Sequence, residues 1–242
     1  SLEYNVLIEN NFLDEIHVEK SNNIIIKKDF DKDFYSLHKK NEFVDYNVCI
    51  IDGYIDSIGE IHHLLQKSND SKKETYVVFC YGMSNDVKKT IIVNNQRKNT
   101  RVFPISLQLV EENLNIYNDM SIIHQCEIIS ASKGQTVSQA VRNKLSKGKK
   151  IIINPGNSTL IIEPVCEDRD IKMHIDFLNK KFISHTLYDR NRELILDRIK
   201  SLNSKNYKLY LPKRLLSNNK FMTKIDYYFK LLSTLNLRHK KI

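Results

Sequence analysis

Apolar residues along this chain follow two rhythms, short unbroken runs and runs spaced three to four apart. Val48-Cys49-Ile50-Ile51 is an unbroken run ending at Asp52-Gly53, which predicts a buried strand. Ile55, Ile58, Ile61 and Leu65 then recur at helical spacing and predict an amphipathic helix of about three turns. Tyr76-Val77-Val78-Phe79-Cys80 reads as a second strand. After the turn Gly82-Met83-Ser84-Asn85, the positions Val87, Thr90, Ile91 and Asn94 begin a second helix, with Ser84 or Asn85 able to cap its free N–H groups. Strand, helix, strand, helix implies parallel pairing through right-handed crossovers.

The alternation continues with Thr100-Arg101-Val102-Phe103 as a strand, Val110 to Ile123 as a helix, and two short strands at Glu127 to Ser130 and Lys150 to Ile153. Asn154-Pro155-Gly156-Asn157 is a turn signal between apolar runs, so Ser158 to Ile162 closes a hairpin. From Asp170 to about Leu202 the pattern is helical, with one stripe at Ile171, Ile175, Leu178 and Phe182 and another at Leu194, Ile195, Arg198 and Ile199, broken near Ser184-His185-Thr186. Tyr207 to Leu211 alternates as a strand does. A last helical register, carried by Phe221, Ile225, Tyr228, Leu231 and Leu232, runs into the basic tail Arg238-His239-Lys240-Lys241. There is no internal repeat and no low-complexity linker.

With 242 residues, 41% hydrophobic and 28% charged, the chain has the composition of a globular protein with one dominant core. No apolar run approaches the roughly 20 residues of a membrane helix, and Ser1-Leu2-Glu3-Tyr4 lacks the features of a signal peptide, so no membrane span is expected. A start at Ser1 rather than Met suggests a piece of a longer protein. Cys49, Cys80, Cys126 and Cys166 lack metal-site spacing and read as reduced core residues. The net charge of +9 admits an acidic partner, nucleic acid included, although the heavy use of Asn, Lys and Ile is also what an AT-rich genome produces.

Most catalytic templates are missing. No glycine-rich phosphate loop, nucleophile elbow or paired-histidine zinc helix occurs. His62-His63 is adjacent on a helix, where side chains diverge by about 100° and chelate poorly, so both read as surface or partly packed residues. Glu167, Asp168 and Asp170 precede a helix and read as capping charges. The basic runs Lys147 to Lys150 and Arg238 to Lys241 lack interleaved aromatics and read as a solvated loop and a frayed tail.

Several segments, in order, resemble the apical domain of group I chaperonins. Phe30-Asp31-Lys32-Asp33-Phe34-Tyr35-Ser36 is similar to that family's Phe-Asp-Arg-Gly-Tyr-Leu-Ser, and Cys49 to Leu65 to its strand and helix Leu-Leu-x-Asp-x-x-Ile-Ser-x-Ile. Thr90-Ile91-Ile92-Val93-Asn94 resembles Thr-Leu-Val-Val-Asn, Asn118 to Ile123 resembles Glu/Gln-Asp-Ile-Ala-x-Leu, and Lys149 to Asn154 resembles Lys-Arg-Val-Val-Ile-Asn. Tyr188-Asp189-Arg190 followed by Asp197 to Leu202 resembles Tyr-Asp-Arg…Glu-Arg-Val-Ala-Lys-Leu.

The resemblance implies an α/β fold, a GroEL apical-domain-like mixed sheet flanked by helices. Residues 23–205 would form the apical domain, and 1–22 and 206–242 would contribute parts of a smaller α+β intermediate domain. It implies a groove for non-native polypeptide and a co-chaperonin mobile loop, lined by Phe34, Ser36, His38, His62, Leu65, Lys88, Ile92 and Val93. His62 and Lys88 stand where the family has leucines, and His38 and Lys39 where it has aromatics. Gln125-Cys126 and Asn203-Ser204 replace flexible glycine pairs. The implied parent is one subunit of a heptameric ring with ATP and Mg in another domain, organellar if eukaryotic and cytoplasmic if bacterial or viral. The segment itself is expected to bind no cofactor and show no ATPase activity. The rival expectation is a stand-alone basic module that binds nucleic acid or an acidic protein.

Overall fold

The structure is a computed structural model that describes residues 4–11, 15–27, 29–71, 74–106, 116–184, 190–203 and 205–238. The chain forms two compact units: Ile26–Met173, and the two ends, up to Ile25 and from His174 onward.

The middle unit is built on a mixed sheet in the order β3 (Ile24–Lys27), β11 (Thr159–Glu163), β10 (Ser146–Asn154), β4 (Asn41–Ile51), β6 (Tyr76–Cys80) and β8 (Val102–Ser106), with the short β9 (Ile128–Ile129) also on β4. The strand and helix alternation produces the parallel half: β4 runs parallel to β6 with Val48 opposite Val77, and β6 parallel to β8 with Val78 opposite Pro104. Helices α1 (Ile58–Asp70) and α2 (Asn85–Gln96) are the crossovers. The hairpin supplies the antiparallel half, with Ile152 opposite Ile161 across a turn at Pro155–Asn157 that Ser158 closes at φ 48°.

All five residues of β6 are buried, as befits a central strand covered on both faces. One side of the sheet packs Cys49, Val78 and Cys80 against Ile61 and Leu64 of α1 and Val87 and Ile91 of α2. Further helices are α3 (Ile116–His124) and α4 (Val137–Arg142). Tyr46 of β4 lies beneath Gly148 of β10, where a Cβ would collide with the Tyr46 ring. Its hydroxyl meets His124 Nε2 at 2.8 Å.

Several expectations shift. The strand expected from Thr100 begins at Val102 and includes Pro104, which an edge strand tolerates because it lacks a second neighbour needing its N–H. The helix expected over 110–123 is seen from Ile116, and positions 110–115 lie outside the described residues. Lys147 to Lys150 form no loop but part of β10, with Lys147 paired to Glu74 at 3.2 Å and Lys150 to Glu42 at 2.7 Å. Of the basic tail, 239–241 lie outside the described residues. Cys49, Cys80 and Cys166 are buried and Cys126 half-buried, and burial pushes the Cys80 and Cys126 thiols up to about 12.

In the unit formed by the ends, β12 (Lys205–Pro212) lies between β1 (Tyr4–Asn11), parallel to it, and β2 (His17–Ser21), antiparallel to it. Helix α5 (Asp168–Ser184) leads into this unit, which also holds α6 (Arg190–Leu202), α7 (Lys213–Leu216) and α8 (Asn219–Arg238). The division after Met173 differs from the expected boundary at 205. At the start of α5, the Asp170 carboxylate accepts the Glu167 N–H at 3.3 Å and Gln125 Nε2 at 3.2 Å, in keeping with capping. No helix among the described residues is long and apolar enough to cross a membrane.

Candidate functional site

Helices α1 and α2 touch side by side, each with one face on the sheet. α1 starts cleanly because Glu60 reaches back to the N–H groups of Ser57 (2.8 Å) and Asp56 (3.0 Å). Its core face holds Ile61, Leu64 and Ser68. At about 100° per residue, Ile58 and Leu65, seven residues apart, share the margin of that face, while His62 falls outside it. Burial agrees: Leu65 is 8% exposed, Ile58 39%, and His62 is exposed.

In α2, Ser84 accepts the Val87 N–H at 3.4 Å, and Val87 and Ile91 anchor the helix to the core. Ile92 is half-buried on one flank of the outer face and Val93 is 40% exposed on the other. Residues 29–40, without strand or helix, form a strap fixed at several points. Ser158 Oγ donates to Asp29 at 2.7 Å, Lys88 Nζ to Asp31 at 2.5 Å, and the buried Tyr35 hydroxyl to the Pro104 carbonyl at 2.9 Å. Hydrogen bonding to Asp31, foremost, raises the Lys88 pKa.

The residues expected to line the groove therefore divide. His62 and Val93 reach the surface, as do Ser36 and His38 on the strap. Ile92 is half-buried, and Phe34 is half-buried against the core cluster. Leu65 belongs to that cluster and is buried. Lys88 is redirected, since Asp31 draws its ammonium toward the strap. Ile58, Leu37 (52% exposed) and Tyr54 (55%) are exposed apolar residues outside the expected set. Ile58 was findable, because it lies one turn before His62 on the outer face.

His62 and His63 have ring centroids 5.6 Å apart, and no group of three metal-ligating side chains occurs among the described residues. A cleft of about 650 Å³ opens at the base of α2, lined among others by Phe30, Asp31, Tyr54, Tyr81 and Lys88.

Such a mixed sheet, with two crossover helices exposing apolar side chains beside a pinned strap, defines an α/β domain. No family model matches the chain. It is 24% identical over 190 residues to the chloroplastic RuBisCO large subunit-binding protein subunit alpha of Chlamydomonas reinhardtii, covering 76% of this chain and 32% of the relative. It is 26% identical over 163 residues to chaperonin GroEL 3 of Psychromonas ingrahamii, covering 66% and 30%. The chain thus spans about a third of the length of these curated relatives. Two crystal forms of the chaperonin gp146 from bacteriophage EL, with ATP-BeFx present, superpose with TM-scores of 0.68 and 0.58. At 10% and 11% identity, each alignment covers 96% of this chain and 45% of gp146. The structural likeness establishes the fold. Together with the sequence matches it supports a divergent, GroEL-like chaperonin domain.

Proposed function

We propose that the middle unit is a polypeptide-capturing apical domain of a chaperonin, binding non-native chains on the outer faces of α1 and α2. The observation that carries this reading is the exposure of Ile58 and Val93 on neighbouring helices whose other faces are fully committed to the core. Unfolded polypeptides expose apolar side chains, and removing such surface from water contributes about 25 cal/mol per Å². The same face would take the mobile loop of a co-chaperonin. The parent would be a ring, heptameric by family analogy, powered by ATP and Mg bound outside this segment, in an organelle or in the cytoplasm. This segment would show no ATP turnover of its own.

The reading is tested by fluorescence anisotropy with an apolar mobile-loop peptide. Each half-exposed anchor contributes about 1 kcal/mol, so Ile58→Glu or Val93→Glu should weaken binding about fivefold through lost contact alone, and more through the buried charge. Leu65→Glu is the wrong probe because it would damage the core. Unchanged binding by both variants refutes the assignment. Affinity for nucleic acid alone, falling steeply with salt, would favour a basic binding module instead.

A further inference from the structure

The 650 Å³ cleft lies where Tyr81 follows β6 and Ser106 ends β8, at the carboxyl ends of parallel strands. Ligands of α/β sheets gather at such ends. Three aromatic rings, Phe30, Tyr54 and Tyr81, stand on its walls together with the carboxylates of Asp29 and Asp31. Asp52 accepts the Tyr81 hydroxyl, and the charge of Asp33 reaches Lys88. The lining itself carries two carboxylates, Asp29 and Asp31, and two ammonium groups, Lys27 and Lys88, with Asp52 behind the Tyr81 hydroxyl. In a chain whose net charge is +9 the cleft is locally balanced.

The cleft already holds a cation. Lys88 Nζ sits 2.5 Å from Asp31 Oδ2 with its side chain 23% exposed, and the hydrogen bond to Asp31 keeps it charged. The Tyr54 ring lies over Gly82, where a Cβ would come within 3.0 Å, yet Tyr54 remains 55% exposed, so much of its surface is open to a guest. Aromatic faces and carboxylates arranged together attract ammonium and guanidinium groups. A guanidinium has two advantages over the resident lysine: it can pair with a carboxylate through two parallel hydrogen bonds, and it stacks on a ring.

We propose that this cleft is a subsite for a cationic side chain, arginine in preference to lysine, carried by a polypeptide segment bound on the adjacent helix face. Lys88 is its resident placeholder, displaced from Asp31 when the guest enters. The inference rests on the polypeptide-binding reading of α1 and α2. It adds a rule for segment choice: apolar anchors followed by a basic residue.

The test uses the whole chain and two fluorescent peptides of one apolar sequence, differing only by Arg or Gln at a single position. The Arg peptide should bind about tenfold tighter, the increment of one charge-assisted hydrogen-bonded pair. Lys88→Met should widen that ratio by removing the competitor. Asp31→Asn should narrow it, and so should Asp29→Asn, whose carboxylate accepts from the neutral Ser158 hydroxyl, each through loss of a charge-assisted contact to the Arg side chain. Equal binding of the two peptides by the parent and by Lys88→Met overturns the subsite and leaves the helix-face reading intact. An Arg preference indifferent to all three variants also overturns it. Failure to bind either peptide overturns both.

Discussion

His124 is 1% exposed, and its two ring nitrogens are both engaged, Nδ1 with the Met120 carbonyl at 2.9 Å and Nε2 with the Tyr46 hydroxyl at 2.8 Å. A carbonyl only accepts, so Nδ1 carries the proton and Nε2 accepts from Tyr46. The Phe79 ring, 5.7 Å away centroid to centroid, offers no counter-charge. Burial accordingly lowers the imidazole pKa from 6.5 to about 4, against a smaller raising effect of the Met120 hydrogen bond. Between those values the unfolded chain binds a proton that the folded chain refuses, so stability is complete above pH 6.5 and falls as the pH falls through the window. At about 1.4 kcal/mol per pH unit the loss is about 2 kcal/mol at pH 5 and about 3 kcal/mol by pH 4. The assay is urea unfolding at several pH values for the parent and for His124→Gln, whose amide does not titrate. The variant will be weaker at pH 7.5, but its disadvantage should shrink by about 2 kcal/mol at pH 5. Two curves that stay parallel across that range would refute the reasoning.

Two further substitutions probe the same scaffold. Gly148→Ala places a methyl group against the Tyr46 ring, which β10 and His124 hold from moving away, and should cost about 3 kcal/mol in the same unfolding assay. Asn95→Ala removes a side-chain amide that mimics a neighbouring strand for Val102, donating to its carbonyl at 2.6 Å and accepting its N–H at 3.1 Å. It should cost about 2 kcal/mol and raise aggregation, read by light scattering during refolding.

The parallel half of the sheet was legible because each of its strands is an apolar run and each crossover helix repeats at 3.6. Val48 to Ile51 and Tyr76 to Cys80 announce buried strands without long-range information. β2, written His-Val-Glu-Lys-Ser, carries no such signal: four of its five residues are exposed, and it is a strand because β12 pairs with it. The six-residue α4 is likewise too short for a periodicity to emerge, although Thr136 and Gln139 form its capping box. At the site, the residue types were readable but their directions were not. Ile55, Ile58, Ile61 and Leu65 look like one stripe on paper. Ile55 in fact precedes α1, and Ile58 and Leu65, two turns apart on one margin of the helix, differ in burial: Ile58 in the first turn is 39% exposed and Leu65 is 8% exposed.

That difference in burial bears on how strongly the proposed face could hold a client. With Leu65 buried and Lys88 drawn to Asp31, the outer surfaces of α1 and α2 keep two half-exposed apolar anchors, Ile58 and Val93, with Ile92 half-buried. Two anchors at about 1 kcal/mol each amount to about thirtyfold over no contact, before the cost of ordering a flexible chain is subtracted. One copy would therefore hold an unfolded segment only fleetingly. Two proposed features would change the balance: a charged contact in the cleft beside α2, which would discriminate among segments, and repetition of the face around the proposed ring, which would raise the effective concentration without any new contact. On this reasoning a weak apolar face does not argue against capture. It argues that selectivity comes from the cleft, and that strength comes from the number of faces a single unfolded chain can reach.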